Sequence, residues 1–277
     1  MPTRALAGKT IVMSGGSRGI GQAIALRAAA DGANIVLIAK TTEPHPGLTG
    51  TIHTAAAAIE AAGGRALAFP GDIRSDTDIA DAVEAAIETF GGIDICVNNA
   101  SVLNLASTLE LDPKRYDLMQ DVNVRGTFQL SRACLPHLLK ADNPHVLSLS
   151  PPLNLTPRWL GAHPAYTLAK FGMTIATLGV AAEFAGGGVA ANCLWPRTLI
   201  ATDAVSNLMG GTEAVPRARS PKIMADAAHA IFSSESWTRT GATLIDEDVL
   251  RVGGTVDFSI YSDPAHEGDL ELDLFVD

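Results

Sequence analysis

The stretch SGGSRGIG, residues 14–21, decides the fold of this chain. It directly follows an apolar run, Thr10–Ser14, and opens an alanine-rich segment, Gly19–Ala30. A strand, a glycine-rich turn and a helix in this order are typical of a dinucleotide site, because the glycines let the backbone approach a pyrophosphate and the helix N-terminus meets its charge. The front spacing is one residue looser than G-x-G-x-x-G, so an ordinary glycine-rich turn is the alternative. We predict that a dinucleotide contacts Gly15, Ser17, Arg18, Gly19, Ile20 and Gly21.

Short apolar runs alternate with longer helical segments along the whole chain. The predicted strands are Thr10–Ser14, Asn34–Ala39, Ala66–Pro70, Ile93–Asn98, His145–Leu149, Val189–Leu194 and Ala242–Ile245. The predicted helices are Gly19–Ala30, Thr54–Ala62, Ser75–Phe90, Pro113–Lys140, Ala165–Phe184 and Pro221–Ser233. Strict alternation with continuous apolar strands predicts one α/β domain of the Rossmann type. We expect a doubly wound parallel sheet of about seven strands with helices on both faces.

Three stretches interrupt this rhythm. Residues 41–50 contain two prolines and two glycines and are predicted to form a long loop after the second strand. Residues 198–220 form a loose segment that is suited to a substrate lid, and we place them within a domain at 1–252. Residues 253–277 form an acidic C-terminal tail. Its end, DLELDL at 269–274, alternates with period 2, which suggests an added strand or a subunit contact, with a disordered terminus as the alternative.

Composition excludes several classes of partner. The net charge of −10 over 277 residues argues against nucleic acid and anionic membranes as partners. Seven scattered histidines lack ligand spacing, so no metal site is predicted. Three cysteines without paired spacing indicate a reducing compartment. There is neither a secretory leader pattern nor a run of ~18–20 apolar residues, and the C-terminal residues form no peroxisomal tripeptide. A cytoplasmic location is therefore expected.

The end of the second strand indicates which dinucleotide binds. NAD sites usually carry an acidic residue ~20 residues after the glycines, but this position holds Ala39 and Lys40. Lys40 and Arg18 would together neutralise a 2′-phosphate, so NADP is preferred over NAD; two solvated surface cations are the alternative. Asp72 and Ile73 follow the third strand, where the Asp72 carboxylate would accept from the adenine amino group or cap a turn.

Asn99 and Ala100 follow the fourth strand directly. Ligands of open α/β sheets bind outside the carboxyl ends of the strands, so both residues are predicted to contact the nucleotide.

Tyr166 and Lys170 are four residues apart in a predicted helix and therefore share one of its faces. A cation within ~4–6 Å of a phenol favours the phenolate and lowers its pKa. The pair would then exchange protons near neutral pH. Because chance supplies this spacing often, an ordinary amphipathic helix is the alternative.

Together these residues resemble the short-chain dehydrogenase/reductase superfamily. Residues 14–21 resemble its TGxxxGIG motif with Ser14 in place of threonine, and residues 98–101 resemble its NNAG motif with serine at the last place. The resemblance implies that Tyr166 exchanges a proton with the substrate oxygen, and that Lys170 binds the nicotinamide ribose and lowers the pKa of Tyr166. It also implies that Asn123 holds a water on the proton relay. Pro196 and Thr198, which follow the sixth strand, would lie beside the nicotinamide, and subunits would pair through long helices into homodimers or homotetramers.

The departures from that family pattern concern the substrate. Most members carry a serine 13 residues before the tyrosine, where this chain has Leu153, and alignment by the strand end gives Pro151 instead. Ser150 is adjacent and would serve only if the following turn re-aims it, since neighbours on an extended strand face opposite ways. The expected Pro-Gly has become Pro196-Arg197, which suits either an acidic substrate or an ordering salt bridge.

A closer resemblance lies in residues 42–46, 149–155, 163–174, 194–198 and 224–228. It points to one branch of the family, whose members usually carry a C-terminal sterol-carrier domain that we do not expect within these 277 residues. The sequence therefore predicts an NADP-dependent oxidoreductase that interconverts a carbonyl and an alcohol. The apolar lid residues suggest an apolar substrate, and ordinary packing of the lid is the alternative explanation for them. A nucleotide-binding sensor or scaffold with vestigial catalysis is the second hypothesis, and a lipid carrier is the third.

Overall fold

The chain forms one parallel seven-stranded sheet in a computed structural model that describes residues 5–44, 50–208 and 215–277. The strands are β1 Thr10–Ser14, β2 Asn34–Ala39, β3 Arg65–Pro70, β4 Ile95–Asn98, β5 His145–Ser148, β6 Ala190–Trp195 and β7 Thr243–Ile245. Their order across the sheet is 3-2-1-4-5-6-7, and every neighbouring pair is parallel. The predicted Rossmann-type sheet is confirmed, and each strand lies within two residues of its predicted bounds.

Helices cover both faces of this sheet. They are α1 Gly19–Ala29, α2 Ile52–Ala61, α3 Asp76–Phe90, α4 Pro113–Met119, α5 Gly126–Leu138, α6 Pro157–Ala162, α7 Pro164–Glu183, α8 Asp203–Leu208, α9 Lys222–Phe232 and α10 Asp246–Val252. Neighbouring residues of β1 show the two layers. Ile11 and Met13 pack in the core with α1, α2 and α9, whereas Val12 packs with α3, α5 and α7. Alternate side chains of a strand face opposite sides of a sheet, so an apolar run such as β1 fills both cores.

The long helix predicted over Pro113–Lys140 is interrupted. A π-helical turn, Gln120–Arg125, separates α4 from α5 and carries the buried Asn123. Helices α6, α8 and α10 are too short to show a clear period in the sequence. Helix α8 lies in the predicted lid, and α6 and α10 lie in segments to which the sequence assigned no element. Helix α2 begins two residues earlier than predicted, because Thr51 and Thr54 form a reciprocal capping box.

The segments that break the rhythm are described by the structure in part. Of the predicted loop, residues 41–44 and 50 are described, and 45–49 lie outside the described residues, as do 209–214 of the lid. In the lid, Leu199 and Val205 are buried with Ala218 in a small cluster of their own. The tail comes closest to the added-strand alternative, since Leu272 forms one antiparallel bridge with Thr198.

Helix α7 is long and apolar enough, by length and composition alone, to cross a membrane. However, 56% of its most apolar window is buried inside the protein, where it packs on β5, β6 and α5. These contacts are those of a core helix. The cytoplasmic location stays a prediction.

Candidate active site

A cavity of about 650 Å³ opens at the carboxyl ends of the central strands, beside the point where the chain order reverses between β1 and β4. Most residues predicted to form the site line this single cavity. They are Gly15, Ser17, Arg18, Gly19, Ile20, Lys40, Asp72, Ile73, Asn99, Ala100, Tyr166, Lys170 and Pro196. Gly21, Asn123, Ser150 and Thr198 are predicted site residues that lie outside the lining.

The glycine loop is shaped to admit a phosphate. Gly15 has a left-handed backbone (φ +73°), and its N–H donates to the Ile38 carbonyl at 2.9 Å. A Cβ on Gly21 would lie 2.5 Å from the Asn99 amide nitrogen, so only glycine fits there. Helix α1 starts without a side-chain cap, which leaves its first-turn N–H groups to meet an anion. The loop therefore fits the pyrophosphate of a dinucleotide.

Asn99 braces this loop from β4. Its side-chain amide donates to the carbonyls of Ser14 (3.1 Å) and Gly15 (2.7 Å). In return, the Ser14 hydroxyl accepts from the backbone N–H groups of Asn99 and Ala100 at 3.2 and 3.1 Å. The serine that replaces threonine in the motif thus joins the glycine loop to the end of β4.

A cluster of charges lies at the far end of the cavity. Lys40 donates to the Asp72 carboxylate at 2.9 Å, and Arg74 contacts the same carboxylate at 2.5 Å. The Arg74 guanidinium is the main reason that the pKa of Asp72 lies well below its usual range. Arg74 also lines the cavity and was missed in the sequence. Lys40 and Arg74 therefore share the Asp72 carboxylate, and both line the cavity together with Arg18 of the glycine loop.

The pair Tyr166 and Lys170 lies on α7, and both side chains are buried. The Lys170 ammonium donates to the Leu149 carbonyl at 2.9 Å and lies 5.0 Å from the centre of the Trp195 ring. Burial lowers the pKa of Lys170 to about 7. Burial, followed by the nearby Asp273, raises the pKa of Tyr166 above its ordinary value. The lowering of the Tyr166 pKa that the sequence suggested is therefore not found, because desolvation of the phenolate and the charge of Asp273 both raise this pKa.

Asn123 lies beneath the cavity rather than in its lining. Its side chain is fully buried, accepts from the Val102 N–H at 2.7 Å and donates to the Val102 carbonyl at 3.0 Å. Asn123 thus fixes the segment after β4, and its relay role stays a prediction.

The structure leaves the position of the missing serine without a hydroxyl. Ser150 is fully buried and absent from the lining, and its hydroxyl lies against the Cys193 thiol on β6. Neither Pro151 nor the half-exposed Leu153 lines the cavity. Ser150 therefore does not reach the cavity, and the turn that follows it is held by the Thr174 hydroxyl, which donates to the Pro151 carbonyl at 2.7 Å.

Arg197 and Thr198 are also turned away from the cavity. The Arg197 guanidinium pairs with Asp248 at 3.0 Å and with Glu247 at 3.3 Å, so the ordering salt bridge is the correct alternative. Thr198 is buried and paired with Leu272 of the tail. The direct contact of Thr198 with the nucleotide that the resemblance implied is therefore not supported by its position.

Several lining residues escaped the sequence interpretation. Arg74 lies two residues after Asp72, in the turn that follows β3. A cation at this place, in addition to Lys40 after β2, was a local signal for the charge cluster. Asp273 and Leu274 come from the tail, more than a hundred residues after Tyr166, and no local pattern places them there.

Comparison with known proteins agrees with this geometry. Residues 9–211 match the short chain dehydrogenase family. Hydroxysteroid dehydrogenase-like protein 2 of Danio rerio is 54% identical over 276 residues, which cover 99% of this chain and 65% of that protein. The Rattus norvegicus protein of the same name is 52% identical, with 52% of its length covered. The chain thus spans about half to two thirds of these relatives. The closer resemblance to one branch of the family is confirmed.

Solved structures show the same fold. A protein of Xanthomonas campestris is 55% identical with a TM-score of 0.94, covering 98% of this chain and 99% of that one. A short chain dehydrogenase of Mycobacterium thermoresistibile is 54% identical with a TM-score of 0.93, covering 98% and 96%. A metagenomic short-chain oxidoreductase in complex with NADP is 26% identical with a TM-score of 0.70, covering 87% and 97%. The chain therefore belongs to the short-chain dehydrogenase family.

Proposed function

We propose that this protein is an NADP-dependent oxidoreductase that interconverts a carbonyl compound and an alcohol. The observation that carries the proposal is that Tyr166 and Lys170 line the same cavity as the glycine loop of α1. A proton donor and a dinucleotide cradle are thereby brought together at the carboxyl end of the sheet, where reactions of this fold take place.

Each residue has a distinct task in this proposal. A bound nicotinamide nucleotide would supply the hydride that reaches the carbonyl carbon, and the glycine loop and Asn99 would hold its phosphates and position it. Tyr166 supplies the proton to the substrate oxygen, and its raised pKa keeps it protonated at neutral pH, as carbonyl reduction requires. Lys170 is held by the Leu149 carbonyl at the floor of the site, where its remaining donors suit ribose hydroxyls.

The preference for NADP rests on the cations around Asp72. Lys40, Arg74 and Arg18 all line the cavity at its adenosine end, and β2 ends without a carboxylate. A 2′-phosphate accepts charge-assisted hydrogen bonds from such groups, whereas two ribose hydroxyls favour an acidic partner.

Removing these cations should weaken NADPH binding selectively. In the double variant Lys40→Ala, Arg74→Ala the Asp72 carboxylate loses both partners and repels the phosphate. We expect NADPH to bind ~10–100-fold more weakly, and NADH by less than ~3-fold, since charge-assisted bonds contribute ~1.5–3 kcal/mol. Nucleotide fluorescence titration measures both. Lys140→Ala, an exposed cation outside the cavity, is the control. Tighter binding of NADH than NADPH by the wild type would contradict the preference.

The substrate is proposed to be apolar. The lining around Tyr166 is largely apolar and includes Val102, Leu103, Leu118, Leu149, Trp195 and Leu274. A panel of short and long aliphatic and aromatic aldehydes and ketones, followed by NADPH oxidation, tests this proposal. We expect kcat/KM to increase with the apolar area of the substrate. The absence of NADPH oxidation across the panel, with NADPH binding intact, would favour the nucleotide-binding sensor or scaffold instead.

A homodimer or homotetramer is proposed from the long helices. Phe128 on α5 and Leu168 and Ile175 on α7 are large apolar side chains with half or more of their surface exposed. Leu168 and Ile175 are seven residues apart and share one face of α7. A second copy of the chain would bury these faces, and light scattering that gives a monomer mass would contradict it.

A further inference from the structure

The C-terminal tail is attached to the substrate side of the cavity by backbone hydrogen bonds. Leu199 donates to the Glu271 carbonyl at 2.8 Å, and Asp273 donates to the Arg197 carbonyl at 3.0 Å. Together with the bridge between Leu272 and Thr198, these bonds form a short antiparallel pair with the segment after β6. Asp273 therefore has a fixed register relative to the active site.

Aromatic packing anchors the end of this tail. The Phe275 ring lies 5.2–6.2 Å from the rings of Trp159, Tyr166, Phe171 and Trp195, and it stacks on Tyr166 at 27°. Trp195 donates to the Leu274 carbonyl at 2.8 Å. Phe275 also has φ +70°, alone among the described residues other than glycine. A left-handed backbone costs ~1–2 kcal/mol, so strong packing must hold it.

The loop that lacks the serine is the loop that holds the tail. Asn154 donates to the Phe275 carbonyl at 3.3 Å and to the Asp277 carboxylate at 2.6 Å. Trp159 lies a few residues further along the same segment, and its indole N–H donates to the same carboxylate at 3.1 Å. Segment 150–159 thus contributes a docking surface for the tail in place of a substrate-holding hydroxyl.

This docking brings the Asp273 carboxyl into the lining of the cavity, beside the catalytic pair. Its side chain accepts from the Leu274 N–H at 2.7 Å, and it acts electrostatically on both Tyr166 and Lys170. Burial raises the pKa of Asp273 to about 7, opposed by Lys170 and assisted by Asp246. A carboxyl in this state carries a donatable proton at neutral and slightly acidic pH.

We propose that Asp273 is a catalytic residue supplied by the tail, and that its carboxylic acid donates a hydrogen bond to the substrate oxygen in place of the missing serine. The inference rests on the proposed function, since it concerns the same carbonyl oxygen that Tyr166 protonates. Asp273 keeps its own proton throughout, so Tyr166 remains the proton source and the balance of the reduction is unchanged. The substrate oxygen thereby receives two donors from opposite parts of the chain.

Two variants of Asp273 separate the hydrogen bond from a structural role. We expect Asp273→Ala to lower kcat for carbonyl reduction by ~10²–10³-fold at pH 6, the usual loss for one oxyanion donor. Asp273→Asn keeps an N–H donor and should lose no more than ~10-fold. The loss in Asp273→Ala should shrink as the pH rises beyond about 7, because the wild-type carboxyl then gives up its proton. Asp269→Asn, an exposed carboxylate of the same tail, should match the wild type.

The outcomes distinguish the inference from the proposed function. If Tyr166→Phe abolishes turnover while Asp273→Ala keeps wild-type kcat at every pH, the proposed function stands and Asp273 is not catalytic. If wild type and Tyr166→Phe are equally inactive, the proposed function fails, and the substrate role of Asp273 fails with it.

Tryptophan fluorescence tests the position of Asp273 without any turnover. Trp159 and Trp195, two of the three tryptophans, touch the tail, and Trp195 also contacts Lys170. Titration of the wild type between pH 5 and 9 should show a change in emission near neutrality, because Lys170 loses its proton beside the Trp195 ring. Asp273 raises the pKa of Lys170, so Asp273→Asn should shift this transition to lower pH, and Asp269→Asn should not. A transition that Asp273→Asn leaves in place would overturn the inference.

Discussion

Replacement of Tyr166 by phenylalanine is expected to lower kcat for carbonyl reduction by ~10²–10⁴-fold, the usual contribution of a positioned proton donor. The ring remains, so its stacking on Phe275 and its burial against Trp195 are retained. Only the hydroxyl at the cavity surface is lost. NADPH affinity should therefore stay within about twofold of the wild type, because the glycine loop and Lys170 are untouched. Stopped-flow measurement of NADPH oxidation, with fluorescence titration of binding, checks both.

Tyr261→Phe is the matched control for this variant. Tyr261 is also buried, but its hydroxyl donates to Asp226 at 2.8 Å, and it does not line the cavity. The Tyr261→Phe variant should have a lower free energy of unfolding than the wild type, and its kcat should be unchanged. Equal rates for wild type and Tyr166→Phe would show that the phenol transfers no proton, and would favour the nucleotide-binding sensor or scaffold.

The sheet was predictable because its signals are local. Ile11, Val12 and Met13 are three consecutive apolar residues, and such runs identify strands that are buried on both faces. The glycine loop then fixes the direction of the chain and the end of the sheet that binds a ligand. The π-helical turn at Gln120–Arg125 was not predictable in the same way, because the side chain that occupies it, Asn123, is held by Val102 from another segment.

The same distinction separates the predicted from the missed site residues. Tyr166 and Lys170 are one helical turn apart, and Asn99 follows its strand directly, so each carries a local pattern. Asp273 reaches the cavity through an antiparallel pairing with a segment about 75 residues earlier, and the sequence shows only the period-2 alternation of the tail. Which partner a single short strand chooses depends on the whole fold, so register and contacts here required the structure.

The cation at Arg197 shows why one residue type was open to two interpretations. A guanidinium just after the sixth strand suits an acidic ligand or an internal carboxylate equally well. The structure supplies three arginines around one carboxylate, Glu247 of α10, which pairs with Arg197, Arg219 and Arg251. The charge of Arg197 is thus used to join the segment after β6 to α10 and to the end of the lid.

This network predicts the largest effect on stability. The side chains of Arg219 and Glu247 are only 7% and 5% exposed, and Glu247→Ala would leave Arg219 charged and buried without its main partner. Breaking a buried pair in this way costs ~3–5 kcal/mol. For a domain of this size, ~2–4 °C per kcal/mol corresponds to a Tm that is roughly 10 °C lower. Urea and thermal unfolding followed by circular dichroism measure the loss.

Asp248→Asn is the control that separates burial from charge. Asp248 neighbours Glu247 and pairs with two of the same arginines, Arg197 and Arg251, but it is 55% exposed. Exposed pairs contribute ~0–1 kcal/mol, so this variant should unfold within about 1 kcal/mol of the wild type. A similar loss in both variants would mean that net charge on α10, rather than the buried Arg219, sets the stability.

Because Arg219 lies at the end of the lid and Arg197 holds Asp273 through its carbonyl, a selective loss in Glu247→Ala should also loosen the tail. The emission of Trp195, which contacts that tail, would then change at denaturant concentrations below those of global unfolding.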